Sequence, residues 1–522
     1  MSESQPYESN CLWLGLSANL EKPTRRRHVT DFPIMKSFFL PIFLFIFIAA
    51  SPHQLLALPN ILLILSDDHS VPHLGSYGDP NCQALGLTPN LDTLADEGMR
   101  FDRAYTSAPQ CAPSRTSIFA GRSPVGISAT RFAQPARTGV ALFTDLLRRS
   151  GYWVGLEGRH QHLDGKSKDL PHVAEALVDL GMRGEEFESR FDYFVRGAKT
   201  KGEALDRVGE VVGLVLDSVP QDQPWFLYFG FNQPHRSFGE DHEGIDPLKL
   251  VLPPDWPDLP GVRLDYARYL AEVRDLDRGV GLVLDLLKNR GLEKDTLVIF
   301  MGDNGEALLR GKGTLATRGI HVPLIIRWPG VIEAGGVSEH LISGVDLAPT
   351  ILSAANVEPD EGMTGVSFLP ALRGNVFKGR ERVFAERGWH WGPLTRSDGF
   401  DLVRSVTTNR YHFVYNAIPE REHGPTDMSK GNNVAWEEIK EARAKGELSE
   451  LHEQLFFHLP RPVFELYDLE EDPYQLDNLA GDVATAEVEE QFREKLDRWM
   501  VEEGDYLPLP SHVHQIFIES RR

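Results

Sequence analysis

Apolar and polar positions alternate in blocks along the chain. Ile61 to Leu65 is a continuous apolar run ending in Ser66-Asp67-Asp68, which predicts a buried strand. Thr88-Pro89-Asn90 predicts a helix cap with the helix running through Gly98, and Thr138 to Arg149 is amphipathic and stops at Gly151. Tyr152 to Leu156 has strand character. Lys201 to Val219 reads as helix, followed by the apolar run Trp225 to Phe229. Leu264 to Arg290 is a long helical pattern stopped by Gly291, and Thr296 to Met301 a strand. Pro323 to Arg327 is another short apolar run and Asp346 to Ala355 another helix. Alternation on this scale predicts an α/β sheet, mostly parallel, with helices on both faces.

In such sheets ligands gather beyond the carboxyl ends of the strands. The polar clusters Asp67-Asp68, Gly158 to His162, Asn232 to Arg236 and Gly302 to Asn304 each closely follow an apolar run. Four separate segments therefore deliver polar side chains to one edge. Beyond about residue 375 the pattern changes. Val403 to Val406 and His412 to Val414 read as short antiparallel strands, and Ala435 to Glu453 as a charged helix. Phe464 to Leu469 is a strand leading into an acidic turn, and Glu487 to Val501 a closing helix. This predicts a division into residues 58–375 and a smaller α+β subdomain, 376–522. No internal repeat or low-complexity tract is present.

Charge and cysteine content narrow the function. The 522 residues carry a formal net charge of −22, which argues against general nucleic-acid binding, because a phosphate backbone is bound by clustered Lys and Arg. An anionic substrate stays compatible, since a cation and a few Arg in a cleft invert the local field. The three cysteines, Cys11, Cys82 and Cys111, make no disulfide framework.

From Met35 the chain reads as the charge, apolar core and small-residue region of a secretory signal peptide, ending near Ala57. Its apolar run, Phe38 to Ala50, is shorter than the roughly 20 residues of an ordinary bilayer span, so no stable membrane insertion is expected. Residues 1–34 are polar and sit awkwardly before an export signal. We read them as a start-site misassignment, the alternative being a cytoplasmic tail ahead of a short anchor. The expected location is secreted or periplasmic.

The segment Cys111-Ala112-Pro113-Ser114-Arg115 followed, five residues on, by Gly121-Arg122 resembles the signature of the type I sulfatases. In that family the Cys is oxidised to formylglycine by a formylglycine-generating enzyme that reads the Pro and Arg. The resemblance implies a hydrated aldehyde with two hydroxyls on one carbon. One attacks sulfur to give a covalent sulfated intermediate, and deprotonation of the other expels sulfate. Ser114 to Ala120 has helical character, which places the nucleophile at a helix N-terminus, where backbone N–H groups favour oxyanions. Arg115 is expected to hold the hydrated aldehyde.

Asp67-Asp68 and Asp303-Asn304 offer hard oxygen ligands of the kind Ca²⁺ or Mg²⁺ takes, though such pairs also serve as turns and caps. Pro59 to Asp68 is similar to the family's opening strand, and Gly302-Asp303-Asn304-Gly305 to its second metal segment. The resemblance then implies one Ca²⁺ held by Asp67, Asp68, the formylglycine at Cys111, Asp303 and Asn304. Gly158-Arg159-His160-Gln161-His162 resembles a Gly-Lys segment followed by a His. Arg159 replaces the Lys, a planar fork for a point donor, and His162 is favoured over His160. His235 in Pro234-His235 is the expected general acid for the leaving group, and Lys312 falls where the family places a sulfate-contacting base.

The likeness covers most of residues 58–480, including Gly311 to Gly330 and Glu465 to Leu469. It implies an alkaline-phosphatase-like fold: a large mixed, mostly parallel sheet flanked by helices, with the C-terminal α+β subdomain. Pro234-His235-Arg236 and Val403 to Val406 look most like the sulfamidase-like branch, whereas Ala316-Thr317-Arg318-Gly319 departs from the Tyr-Glu pair many members carry before Gly. The expected substrate is a sulfated saccharide. The alternatives are a phosphodiesterase or phosphonate hydrolase of the alkaline phosphatase superfamily, and a non-catalytic protein that binds sulfated glycans.

Overall fold

The computed structural model describes residues 58–520 apart from 133, 138, 160–161, 164–186, 196–199, 391–398, 423, 427 and 429–432. The expected signal peptide and the residues before it lie outside the described set, as does His160.

In chain order the first strands are β1 (Asn60–Ser66), β2 (Met99–Phe101), β3 (Ala104–Tyr105), β4 (Trp153–Glu157) and β5 (Tyr193–Val195). They are followed by β6 (Trp225–Gly230), β7 (Thr296–Gly302), β8 (Leu324–Arg327), β9 (Gly336–Ser338) and β10 (Ile342–Ser343). Eight of these form one sheet in the order β5-β4-β6-β1-β7-β8-β2-β9, and β3 pairs with β10. The five strands from β5 to β7 are mutually parallel. β8 runs antiparallel to both β7 and β2, and β9 parallel to β2. The sheet is thus mixed and mostly parallel, as the alternating pattern implies.

Successive β1 side chains enter different cores. Ile61, Leu63 and Leu65 join Phe101, Ile118, Phe119, Phe143 and Leu347 on one face. Leu62 and Ile64 join Leu91, Leu276, Val280 and Val283 on the other. The strand reads as an unbroken apolar run because both faces of the sheet are covered. Five such side chains, at about 1.5–3 kcal/mol each, are comparable to the whole net stability of an ordinary protein, about 5–15 kcal/mol. A charge at any of these five positions would remove a large part of that margin.

Several helices differ from the sequence reading, each for a local reason. Thr88 makes no side-chain cap for the helix Pro89–Asp96. The cap comes instead from Asp277 of the long helix Pro260–Asn289, whose carboxylate accepts from Leu91 N (2.8 Å), Asn90 N (3.2 Å) and Asn90 Nδ2 (2.7 Å). The amphipathic stretch ending at Arg149 is helical only over Phe143–Arg149, where Asp145 Oδ2 accepts from Leu142 N at 3.0 Å; Thr138 lies outside the described residues. Lys201 to Val219 divides into a 3₁₀ turn, Gly202–Arg207, and the helix Val208–Asp217. The single helix expected over Ala435 to Glu453 is two, Val434–Lys445 and Glu450–Phe457. Gly446 ends the first at φ 72°, its N–H on the Ala442 and Arg443 carbonyls, and the Ser449 side chain starts the second by accepting from His452 N.

The C-terminal region builds a four-stranded antiparallel sheet in the order β11 (Val383–Trp389), β12 (Phe400–Thr407), β13 (Tyr411–Asn416) and β14 (Phe464–Asp468). The helix Ala486–Glu503 packs Phe492, Leu496 and Met500 against Val406, Phe413, Tyr415 and Leu466 of this sheet. Among the described residues no helix is long and apolar enough to cross a membrane.

Candidate active site

The carboxyl ends of β1 and β7 lie side by side, with Ser66 in register with Gly302. The residues that follow, Asp67-Asp68 and Asp303-Asn304, are all fully buried. Asp68 adopts φ 66°, which turns the chain so that its N–H donates to Asp303 Oδ1 at 3.0 Å. Asp67 N donates to the Gln233 carbonyl (3.0 Å) beyond β6.

Cys111 is the first residue of the helix Cys111–Ala120, one turn earlier than the composition of Ser114 to Ala120 suggests, and every residue of that helix is buried. Its thiol donates to Asp67 Oδ1 at 3.2 Å and lies 3.7 Å from Asp68 Oδ1. Burial pushes the thiol pKa up, Asp303 and Asp68 add to this, and Lys312 and Arg115 oppose it. The side chain is therefore held as a thiol and is a poor thiolate nucleophile. Gly121 ends the helix at φ 62°, and a Cβ there would press to 3.1 Å on Ala348 and Met363. Glycine at this motif position answers to backbone conformation and packing together.

Cations ring the carboxylates. Lys312 Nζ lies 2.8 and 3.0 Å from the two oxygens of Asp68, and Arg159, at φ 51°, pairs with Asp67. Arg115 donates through Nε to Asp303 Oδ2 (2.7 Å), lies 3.4 Å from Asp67 Oδ2 and hydrogen-bonds the Tyr228 hydroxyl. Arg115 thus braces the carboxylates from behind the nucleophile. His162 Nδ1 is 3.9 Å from Asp67 Oδ2; burial first, then Arg159 and Arg115, push its pKa well down, so the ring is neutral. His235 Nε2 is 3.8 Å from Asp68 Oδ2, and a quarter of its side chain is exposed, which puts it on the open side of the cluster. Asp67, Asp68, Cys111, Arg115, Arg159, His162, His235, Asp303, Asn304 and Lys312 thus lie together.

The donor set fits a hard cation. One ligand atom each from Asp67, Cys111, His162 and Asp303 lies within 4.8 Å of the others, and so do those of Asp67, Asp68, Cys111 and His235. Asn304 donates through Nδ2 to Asp68 Oδ1 (2.9 Å), while its Oδ1 is buried without a hydrogen-bond partner. A buried amide oxygen left without a partner in a cluster of carboxylates is open to a hard cation, and an ordinary polar network avoids it.

The sequence reading missed the groups that hold this cluster in place. Ser114 Oγ donates to the Asp303 carbonyl (2.5 Å), Tyr269 donates to the Asp68 carbonyl (3.1 Å), and Lys201 Nζ donates to the His235 carbonyl (2.6 Å). Arg236 pairs with Asp265 and donates through Nε to the Ala307 carbonyl (2.8 Å), tying the His235 loop to the loop that carries Lys312. Arg318, the departure noted above, donates to Glu306 (3.0 Å) and lies 3.4 Å from Asp255, both fully buried.

A family model described as Sulfatase matches residues 59–357, over half of the chain. A second, described as N-sulphoglucosamine sulphohydrolase, C-terminal, matches residues 305–455. The chain is 28% identical over 492 residues to N-sulphoglucosamine sulphohydrolase of Homo sapiens, covering 85% of this chain and 90% of that protein. It is 27% identical over 486 residues to an ulvan-active sulfatase of Formosa agariphila, covering 87% and 76%. A solved structure of a protein in complex with its substrate, D-glucosamine-2-N,6-O-disulfate, shares the fold with a TM-score of 0.62 at 18% identity, covering 87% of this chain and 99% of that one. The chain belongs to the sulfatase family of sulfuric ester hydrolases.

Proposed function

We propose that this enzyme removes sulfate, as an O-sulfate ester or an N-sulfate, from a sulfated saccharide. It would use a formylglycine made from Cys111 and one Ca²⁺. The observation that carries the reading is the seating of Cys111 at a helix N-terminus against Asp67 and Asp68, inside a ring of Lys312, Arg159 and Arg115. Hydrated formylglycine supplies two hydroxyls on one carbon, one to attack sulfur and one whose deprotonation releases sulfate. Asp67, Asp68, Asp303 and Asn304 would hold the Ca²⁺, which contributes positive charge beside the nucleophile and the sulfate.

The chain's own residues divide the remaining work. Lys312 and Arg159 meet the sulfate oxygens, a charge-assisted contact of the strong kind. Neutral His162, buried beside Asp67, can accept a proton within the closed part of the site. His235, on the open side, protonates the departing oxygen or nitrogen. A saccharide is favoured over other sulfate donors because the relatives named above act on ulvan and sulphoglucosamine. Export through a signal peptide beginning at Met35 would deliver the enzyme to such substrates.

The test is turnover of an aryl sulfate, an aryl phosphonate and a panel of sulfated saccharides by the purified chain. Peptide mass spectrometry across Cys111 accompanies it. Sulfate release and an aldehyde in place of the thiol are expected. Phosphonate cleavage without sulfate cleavage would overturn the reading, as would full activity with an intact thiol.

A further inference from the structure

Away from the catalytic cluster lies a cavity of about 350 Å³, inside the about 300–1,000 Å³ range of small-molecule sites. Its lining comes from β12, β13, β14, residues 475–478, the helix Glu450–Phe457 and residues 310–316, and includes the exposed Gln454 and His458. One short segment serves both places: Lys312 reaches Asp68 in the catalytic cluster, while Arg310 and Thr314 line the cavity.

Two of the three carboxylates that line the wall are engaged as acceptors, the third, Asp477, being exposed, whereas two buried donors are not engaged. Asp401 takes two Arg461 N–H groups (2.9 and 2.7 Å) and one from Arg387 (3.3 Å). Glu465 takes Asn416 Nδ2 (2.5 Å) and the Tyr467 hydroxyl (2.7 Å). Gln475, 2% exposed, has its Oε1 fixed on Thr317 N (2.7 Å) and Oγ1 (3.0 Å), and its Nε2 is buried with no hydrogen-bond partner. Arg461 Nε, on a residue 8% exposed, is likewise without a partner. Buried donors of this kind ask for acceptors, and a guanidinium among them favours an oxyanion. The rings of Phe456 and Tyr467 also line the space and suit the C–H face of a sugar.

We propose that this cavity is a second, non-catalytic saccharide site that takes one pyranose unit bearing a carboxylate or a sulfate. The choice of a saccharide rests on the substrate class proposed above; the demand for an oxyanion rests on the wall alone. The experiment titrates glucuronic acid, glucosamine 6-sulfate and neutral N-acetylglucosamine into the full chain carrying Cys111→Ala, which blocks turnover. Gln475→Glu keeps the Thr317 contact and puts a carboxylate where the free donor stood. Gln454→Trp places a bulky ring at an exposed helix position of the lining. Glucuronic acid should bind, and at least tenfold less tightly in either variant; glucosamine 6-sulfate should titrate at two sites per chain, and at one in either variant. In chains with Cys111 restored, both substitutions should leave kcat/KM on a small aryl sulfate within twofold. The neutral sugar should bind at least tenfold more weakly than the anionic ones. A sulfate-bearing sugar that binds twice while glucuronic acid does not would narrow the ligand to the sulfate source. The proposal is overturned if neither anionic sugar occupies a second site, or if binding survives both substitutions. Aryl sulfate turnover is read separately, so an inactive enzyme that still binds glucuronic acid would fault the proposed activity and leave the cavity standing.

Discussion

Replacing Glu386 by Gln should stabilise the protein, and should do so more as the pH rises above about 4.5. Glu386 lies on β11, fully buried, with both carboxylate oxygens lacking a hydrogen-bond partner. Arg404 approaches its Oε2 only to 3.5 Å, because that guanidinium is clasped by Asp505 at 2.5 and 3.0 Å. Burial pushes the Glu386 carboxyl from its ordinary value of 4.5 up to about 8; Arg404 opposes this and Asp505 reinforces it. With the folded value raised, the contribution of protonated Glu386 is fully present below pH 4.5 and is lost as pH rises through 8. At pH 7 the folded chain holds a proton that the unfolded chain has released. At about 1.4 kcal/mol per pH step, holding it costs on the order of 3 kcal/mol. Gln has the same shape and never ionises. Glu386→Gln should therefore gain on the order of 3 kcal/mol at pH 7, somewhat more at pH 8.5, and less than about 1 kcal/mol at pH 5. For a chain of this size the gain at pH 7 corresponds to a rise of a few degrees in Tm. Urea unfolding followed by tryptophan fluorescence at the three pH values measures it. A gap that stays constant with pH, or widens toward pH 5, would refute the reasoning.

Cys111→Ser keeps one hydroxyl and no means of expelling sulfate, so it should stop after at most one turnover, and Cys111→Ala should show none; sustained turnover of an aryl sulfate by either variant would exclude the formylglycine mechanism. Asp303→Asn keeps a partner for buried Arg115 but removes a charge from the metal set. Elemental analysis should find bound calcium lost and kcat down by about 10²–10³ or more, whereas full activity in chelator-treated protein would count against a metal role. Asp277→Ala strips three hydrogen bonds from the start of the helix Pro89–Asp96 and leaves the buried Leu91 N–H and the half-buried Asn90 N–H without that acceptor. It should cost roughly 2–4 kcal/mol in chemical denaturation, and a loss under about 0.5 kcal/mol would mean the cap is dispensable.

The strands that carry the site were legible because they are buried on both faces and so consist of uninterrupted apolar residues, as in Leu62-Leu63-Ile64 and Val298-Ile299-Phe300. The polar residues just beyond them stood out by contrast, and the Cys111 segment has a spacing few other sequences share. What was hidden acts at long range or looks like core. Tyr228 sits within an apolar run, and only the register that sets it opposite Leu63 brings its hydroxyl to Arg115. Asp277 looks like a solvated helix position until another helix presents its N-terminus. The short strands β2, β3, β5, β9 and β10 are too brief to show a period of two. Arg318 could be flagged as a departure, but its partners Glu306 and Asp255 emerge only once three loops meet.

Cys111 and the whole helix it begins are packed into the folded chain, so that the backbone on either side of the thiol is buried with it. If the thiol is oxidised by another enzyme that reads the surrounding segment, as the resemblance implies, that enzyme would meet an accessible segment only before the chain closes. Maturation is then a race between two rates, modification of an open segment and burial of the helix. On that reading the fraction of active molecules would be decided before folding finishes. Substitutions that speed folding around β1 would lower specific activity while raising the yield of soluble protein, and a slower host would do the reverse.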